Sequence, residues 1–396
     1  MRSTFIKKLD LYLGKLLCSI LTFWRKTAER DYVLMPKSIL FIKLIEQGAT
    51  VLAYSAIKEA VNQVGREHVY FVLFKENRPV LDFMNLIPNE NIYELRNDSF
   101  GNFLHDFISF LLAIRKKKVE AAIDMEFFSR SSAIMAYLSG AKYRVGLHRF
   151  NAEQPYRGDL LTHRLNYNPF LHISKYYLLL VKVLGESPFG GPELKHLSSQ
   201  NLQISTPNFH AREEAIQNMK AKIGEKQLAK KLVILNPNAS DMLTLRKWSQ
   251  ENFEELAQLL SKQKDVHLIF TGIAKEKHKV EEICASIKEE HYINLAGETS
   301  FEELMALYQL ASVLVTNDSG PAHFASLVNC PTVVLFGPET PSLFSPIGEN
   351  VEIVYKNLAC SPCVNVYNHR FSPCKNNLCM QNIGVHEVLE KVKRFL

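Results

Sequence analysis

The sequence predicts an α/β protein made of two doubly wound, parallel-sheet domains in tandem. Three observations carry that expectation. Short apolar, β-branched runs alternate with longer amphipathic ones; the alternation breaks once, in a stretch rich in Ser, Pro, Gly and Asn, and then resumes. The chain of 396 residues exceeds one ordinary core, since a domain holds roughly 100–200 residues. Strands that alternate with helices imply a parallel sheet covered on both faces.

The first element, KKLDLYLGKLLCSILTFWRK, has an apolar face interrupted by Asp10, Gly14 and Lys15. Its uncharged run is shorter than the roughly 20 apolar residues a membrane span needs. Flanked by Lys7, Lys8, Arg25 and Lys26 and carrying Trp24, it reads either as an interfacial helix on a membrane or as a helix packed on the protein itself. Residues 1–36 are assigned to this segment. An acceptor-side domain over 37–200 follows, with candidate strands SILFIKL (38–44), HVYFVLF (68–74), VEAAIDM (119–125) and YRVGL (143–147), and helical patterns at 49–64, 101–117 and 129–140. The break SPFGGPELKHLSSQNLQISTPNF leads into a linker assigned to 201–228.

Alternation resumes in the domain over 229–380, before a C-terminal helix over 381–396. Its candidate strands are LVILNPN (232–238), HLIFTG (267–272), YINLAG (292–297), VLVTND (313–318), TVVLFGP (332–338) and VEIVY (351–355). In SQENFEELAQLLSKQ, Ser249 is the candidate N-cap, with Asn252 where a full capping box has Glu. Ligands are expected at the carboxyl ends of the strands, in a cleft between the domains.

Apolar content of 47% with 22% charged residues is that of a globular protein. The net charge of +6 is spread out and favours anionic partners such as lipid or sugar phosphate. No RNA-reading or zinc-finger signature accompanies it, so nucleic acid is discounted. Seven cysteines without a cleavable signal sequence point to a reducing compartment.

The most specific segment is VLVTNDSGPAHFASLVNCPTVVLFGP, a strand, turn, helix and strand in one unit. Pro321 falls at the first helical position, where a missing N–H costs nothing, and Ser319 or Gly320 is the N-cap. The first-turn amides then point out of the carboxyl edge of the sheet, and Gly320 lets an anion such as a pyrophosphate approach. Asp318 and His323 flank the same edge. Singly they read as a cap and a surface histidine; combined with Gly320 and Pro321 at these spacings they read as an anion site. The other Gly-containing turn, LIEQGAT (44–50), is a poor phosphate cradle, with one Gly and Glu46 two residues before it.

NDSGPAH followed by an apolar strand and FGPETP resembles the signature of glycosyltransferase family 9, the heptosyltransferase-like enzymes of bacterial lipopolysaccharide synthesis. NPNASDMLTLRKWSQENFEELAQLL, INLAGETSFEELMALYQLA and the tail CSPC…C…C resemble that family as well. SILFIKL, AAIDMEFFSRSSAIMAYLSGAKYRVG and LDLYLGKLL do so more loosely. The resemblance implies a GT-B fold of two Rossmann-like domains facing across a cleft. It implies inverting transfer of a heptose or related sugar from a nucleotide diphosphate, such as ADP-heptose, to a lipopolysaccharide core or other surface glycan. The reaction would run at the cytoplasmic face of the membrane with no required cofactor or metal, and the chain has no Asp-x-Asp pair placed to hold magnesium against a pyrophosphate.

By the same resemblance, Arg246 stands where the family has a phosphate-contacting Lys two residues before the Trp, with Lys247 beside it; the alternative is solvated charge, which the helix dipole disfavours there. Ser240 and Thr244 offer hydroxyls to the diphosphate or shape the loop. Glu276 is near the family's ribose-binding Glu, or is a surface helix Glu. Leu295, Ala296 and Gly297 resemble the stretch that lines the nucleobase, expected to be a purine.

The family's general base is an Asp directly after the Gly of the first turn, and here that position is Ala49. The candidates to replace it are Glu46 in the same turn and Glu126 or Asp124 at the end of VEAAIDM, with Glu126 the more exposed and Asp124 tied to backbone amides. Ala49 also motivates a second reading, a degenerate member that binds nucleotide sugar or partners without catalysis. Cys360, Cys363, Cys374 and Cys379, spaced C-x2-C-x10-C-x4-C, read as a structural zinc site, a redox pair or buried thiols.

Overall fold

The run SILFIKL forms strand β1 (Ile39–Ile42), buried along its whole length, as a strand sandwiched between two helical layers must be. β2 (Val69–Phe74), β3 (Ile92–Leu95), β4 (Ala121–Asp124), β5 (Tyr143–Leu147) and β6 (His163–Leu165) complete a six-stranded parallel sheet in the order β3-β2-β1-β4-β5-β6. The computed structural model describes residues 3–26, 35–148, 157–186, 201–239, 241–367 and 371–396. It divides into two units, Met1–Ser205 and Thr206–Leu396.

β3 and β6 went unread in the sequence, for a physical reason. Both are edge strands of three or four residues, and they carry Tyr93-Glu94 and His163-Arg164, polar pairs that give no apolar run. The central strands are legible because both their faces are covered. Leu40, Ile42, Val72 and Ala122 pack under the helices Phe100–Lys117 and Arg130–Leu138 through Phe110, Ile114 and Met135.

The N-terminal helix Ser3–Lys26 packs on the protein, against helix Arg130–Leu138. Two of the three residues that interrupt its apolar face, Asp10 and Gly14, make that contact, while Lys15 is exposed. Asp10 Oδ1 accepts the N–H groups of Arg130 (3.0 Å) and Ser131 (2.8 Å), capping the second helix. At Gly14 a Cβ would lie 3.0 Å from the Arg130 Cβ. Cys18 and Leu21 fill a cluster with Ala133, Ile134 and Leu160, and Arg25 pairs with Asp159 at 2.8 Å. The other side of the helix stays exposed through Tyr12, Leu16, Ile20 and Phe23.

The second unit repeats the plan. β7 (Lys231–Asn236), β8 (Val266–Phe270), β9 (Tyr292–Asn294), β10 (Val313–Asn317), β11 (Thr332–Phe336) and β12 (Val351–Tyr355) form a parallel sheet in the order β12-β11-β10-β7-β8-β9. Four of the six fall within the runs read from sequence, and β7 and β8 each begin one residue before theirs. Ser249 caps helix Gln250–Ser261, its side chain accepting the Asn252 N–H, as expected.

The stretch read as linker, 201–228, carries the helices Glu213–Ile223 and Glu225–Leu228. Ala215, Met219 and Ile223 recur every four residues and are buried on the first of these, which packs on helix Phe301–Leu310. In each sheet the strand order reverses at the pair β1/β4 or β7/β10. The loops leaving such a pair diverge, opening a crevice at the carboxyl edge.

Candidate functional site

In the second unit one buried amide joins the two strand ends at that reversal. Asn317 ends β10 with no exposed surface. Its Oδ1 accepts the Trp248 N–H (3.0 Å), and its Nδ2 donates to the carbonyls of Pro237 (3.2 Å) and Asn238 (3.3 Å). One side chain thus fixes the loop after β7 to the end of β10. The Trp248 ring is pinned in turn: Nε1 donates to the Ile383 carbonyl at 3.0 Å, and Phe253 meets it edge-on. Asn377 braces the same loop through the carbonyls of Leu245 (3.0 Å) and Lys247 (3.2 Å).

Arg246, two residues before Trp248, is therefore positioned on both sides. Its Nε lies 3.4 Å from Asp318 Oδ2 and its NH2 nitrogen 3.4 Å from Glu339 Oε2, with the side chain 19% exposed. Burial raises the Asp318 carboxyl above its ordinary range, and Arg246 partly offsets this. Burial also pushes Glu339 up to about 8, with Arg246 opposing and Asp318 adding to the rise. At neutral pH Glu339 accordingly keeps its proton and leaves Arg246 less neutralised than two carboxylates would. Glu339 and Asn317 were not singled out from sequence, although both lie in quoted motifs. A polar residue closing an apolar strand is the signal that marks Asn317.

Ser319 is the N-cap of helix Gly320–Leu327, and Pro321 is one residue inside the first helical position. The Ser319 hydroxyl donates back to the Asn317 carbonyl (3.1 Å) and makes no side-chain cap, so it is turned away from the first-turn amides. Gly320 has a structural reason distinct from anion approach: a Cβ there would lie 2.9 Å from the Phe324 ring, which packs edge-on against Phe301. His323 is buried in the same turn. Thr244 is exposed and Lys247 half-buried; the Thr244 carbonyl accepts the Lys247 N–H at 3.0 Å. Ser240 lies outside the described residues.

A second group converges at the carboxyl ends of β8 and β9. Glu276 Oε2 accepts the Ile273 N–H (2.9 Å), and a Cβ on Gly272 would lie 3.2 Å from that oxygen. Gly297, at φ +78°, donates to the Gly272 carbonyl (2.9 Å), and a side chain there would strike Ala274, 2.8 Å away. Leu295 and Ala296 are buried beside it. The structure thus brings Glu276 together with Leu295 to Gly297, as it does Arg246 with Asp318.

In the first unit Glu126, expected to be more exposed than Asp124, is so only slightly: both are buried, at 6% and 1% exposure. Glu126 Oε1 accepts the N–H groups of Leu44 (2.7 Å) and Ile45 (3.2 Å) and lies 3.2 Å from Lys43 Nζ. Lys43, unremarked in the sequence, is fully buried at the end of β1, where only a charged partner makes an ammonium tolerable. Asp124 is tied down as expected: it accepts from the Glu126 N–H (3.0 Å) and the Ser132 hydroxyl (3.0 Å) and pairs with Arg157.

Glu46 is the least buried of the three, 18% exposed and 3.7 Å from Lys43 Nζ. It sits at φ 72° as N-cap of helix Gln47–Leu52, a left-handed conformation that costs a non-glycine residue about 1–2 kcal/mol. Ala49 is buried within that helix.

Of the tail's thiols, Cys363 and Cys374 lie near enough to Cys379 to add to the rise that burial causes in its pKa. Among the described residues no three His, Cys, Asp or Glu side chains are grouped to hold a metal, so the zinc reading is not supported. Cys360 and Cys374 are exposed, whereas Cys379 is buried. A Cβ on Gly337 would lie 3.1 Å from its sulfur.

Residues 108–371 match the description of glycosyltransferase family 9 (heptosyltransferase). Lipooligosaccharide heptosyltransferase 2 of Campylobacter jejuni (serotype O:2) is 32% identical over 170 residues, 42% of this chain. The chain spans 51% of that relative, about half its length. Two solved structures share the fold. Escherichia coli ADP-heptose lps heptosyltransferase II has a TM-score of 0.69 and 19% identity, covering 90% of this chain and 98% of its own. A family 9 glycosyl transferase from Veillonella parvula has a TM-score of 0.72 and 16% identity, covering 93% and 99%. With its two Rossmann-like units and a family match over most of its length, the chain belongs to glycosyltransferase family 9.

Proposed function

We propose that this protein transfers a heptose or related sugar, with inversion and without a metal ion, from a nucleotide-diphosphate donor of the ADP-heptose type to a lipopolysaccharide core or another surface glycan. The observation that carries the reading is Arg246, fixed at the carboxyl edge of β10 beside the N-terminus of helix Gly320–Leu327. A guanidinium and helix amides at one point are what a leaving diphosphate needs, because negative charge develops there as the sugar departs.

In this reading the second unit holds the donor. Arg246, Lys247, Thr244, Ser240 and the Asp318–His323 turn, with Ser319, Gly320 and Pro321, surround the diphosphate. Glu276 takes the ribose, and Leu295 with Gly297 the base. The acceptor oxygen attacks the anomeric carbon from the face opposite the diphosphate. As that bond forms, the bond to the phosphate oxygen breaks and its electron pair leaves with the diphosphate.

Glu46 receives the acceptor's proton. Its lesser burial supports that choice over Glu126 and Asp124, which hold Lys43 and the strand ends in position. The protein would work in the cytoplasm, peripheral to the inner face of the plasma membrane. The exposed side of helix Ser3–Lys26 supports this, and among the described residues no helix is long and apolar enough to cross a bilayer.

Calorimetry with ADP-, GDP- and UDP-sugars, followed by transfer to core-truncated lipopolysaccharide, tests the reading. Transfer from an ADP-sugar with inverted anomeric configuration is the expected result. Donor binding without transfer to any extracted glycan favours the non-catalytic reading that Ala49 motivates, and no binding by any nucleotide sinks both.

A further inference from the structure

Helix Phe100–Lys117 carries a stripe that the site does not use. Phe100, Leu104, Ile108 and Leu112 recur every four residues and all are exposed, Leu112 to 59%. The helix's other side is already spent on the sheet through Phe110 and Ile114. A surface helix with one buried face ordinarily turns polar groups outward; a second, exposed apolar stripe marks an interaction surface.

Charge identifies the partner. The stripe ends among Arg115, Lys116 and Lys117, with Lys118 next. The helix's one carboxylate, Asp106, is neutralised by Arg96 through bonds of 2.8 and 2.7 Å. The outward face therefore carries an apolar stripe, with the polar Ser109 and His105 exposed beside it, and is cationic at one end, which complements an anionic lipid surface. A second copy of the chain would present the same acid-poor stripe and no countercharge for these cations.

The placement of the N-terminal helix fits the same partner. The crossovers from β3 to β4 and from β4 to β5 are right-handed and lie on one face of the sheet. Helices Phe100–Lys117 and Arg130–Leu138 accordingly share a core and are joined by Arg115 Nε donating to the Leu138 carbonyl at 2.7 Å. Helix Ser3–Lys26 packs on Arg130–Leu138 and likewise exposes apolar residues, while its one carboxylate, Asp10, is used as an internal cap.

We propose that helix Phe100–Lys117 is a second membrane-docking element, which together with helix Ser3–Lys26 seats this unit on an anionic bilayer. The proposal rests on the peripheral-membrane reading above and adds the helix on which it can fail separately.

The test is flotation of the full chain with vesicles of phosphatidylcholine, alone or mixed with phosphatidylglycerol. The wild type is expected to float with the anionic vesicles and to be partly released by salt. Ile108→Glu with Leu112→Glu should lower binding at least about tenfold, as should Leu16→Glu with Ile20→Glu, both with unchanged melting temperatures. Ile108→Ser with Leu112→Ser serves as the milder pair should the glutamates disturb the helix.

If the 108/112 variants bind like wild type while the 16/20 variant detaches, the second element is disproved and the N-terminal one survives. Wild-type binding retained by every variant, or absent from both vesicles, overturns both. A dimer in light scattering that Ile108→Glu with Leu112→Glu abolishes, without vesicle binding, assigns the stripe to self-association and overturns the lipid proposal.

Discussion

Arg246 lies between Asp318 and Glu339, 3.4 Å from each, so one guanidinium is shared by two buried carboxyls. An incoming diphosphate must compete with both for the same cation. Arg246→Ala should weaken ADP binding about ten- to hundredfold in calorimetry.

Glu339 makes that competition depend on pH. Its carboxyl is raised from the ordinary 4.5 to about 8, so the folded protein holds a proton that the unfolded chain has lost. The associated stability is fully present below pH 4.5 and is lost as pH rises through 8. Glu339→Gln, which keeps the neutral form, should be the more stable protein at pH 8 by a few kcal/mol, roughly, the difference vanishing towards pH 4.5. ADP affinity of the wild type should fall as pH rises past 8, and the variant's profile should be flat.

Glu46 and Glu126 separate catalysis from stability. Glu46→Gln should lower kcat at least about a hundredfold while donor KM and melting temperature hold, since it removes a proton acceptor and little packing. Glu126→Gln should cost about 2–3 kcal/mol in chemical denaturation, because it strips a buried ammonium of its closest counterion. The reverse pattern would make Glu126 the base.

Asn317→Ala should destabilise by about 2–4 kcal/mol, leaving the Trp248 N–H and two carbonyls without their partner. Asn317→Asp retains an acceptor for Trp248 but sets a carboxylate against the Pro237 and Asn238 carbonyls. It should therefore impair ADP binding while keeping more of the fold than Ala does, which calorimetry alongside denaturation can resolve.

His267 sets an acid limit for the second unit. It is buried in β8 with neither ring nitrogen hydrogen-bonded, and burial pulls it from the ordinary 6.5 down to about 4. A depressed histidine contributes stability that is present above pH 6.5 and lost as pH falls towards 4. His267→Leu should abolish that loss, worth up to about 3 kcal/mol at the acid end, seen as a flatter dependence of melting temperature on pH.

What was legible in the sequence was whatever repeats locally. Central strands buried on both faces show as unbroken apolar runs, so β1, β2, β4 and β5 could be read, and in the second unit even the partly exposed edge strands β9 and β12 lie in apolar runs long enough to read. A helix start at Ser319 or Gly320 followed from Pro321, and Ser249 was a candidate cap despite Asn252 standing where a full capping box has Glu; the structure makes Ser319 and Ser249 the caps. Edge strands β3 and β6 were not readable, because three or four residues with polar pairs carry no period.

By itself, then, the sequence determined the class of fold, the family motifs and the elements that bear Arg246 and Asp318. Tertiary structure alone decided which charges meet. Glu339 reaches Arg246 from 93 positions away, and Glu126 reaches Lys43 from 83 away. It also decided that Asp10 and Gly14, which interrupt the apolar face of an amphipathic helix, are its docking contacts. The physical reason is common to these cases. A local pattern reports how much of a residue is buried, whereas the worth of a buried charge depends on the partner that the fold brings to it.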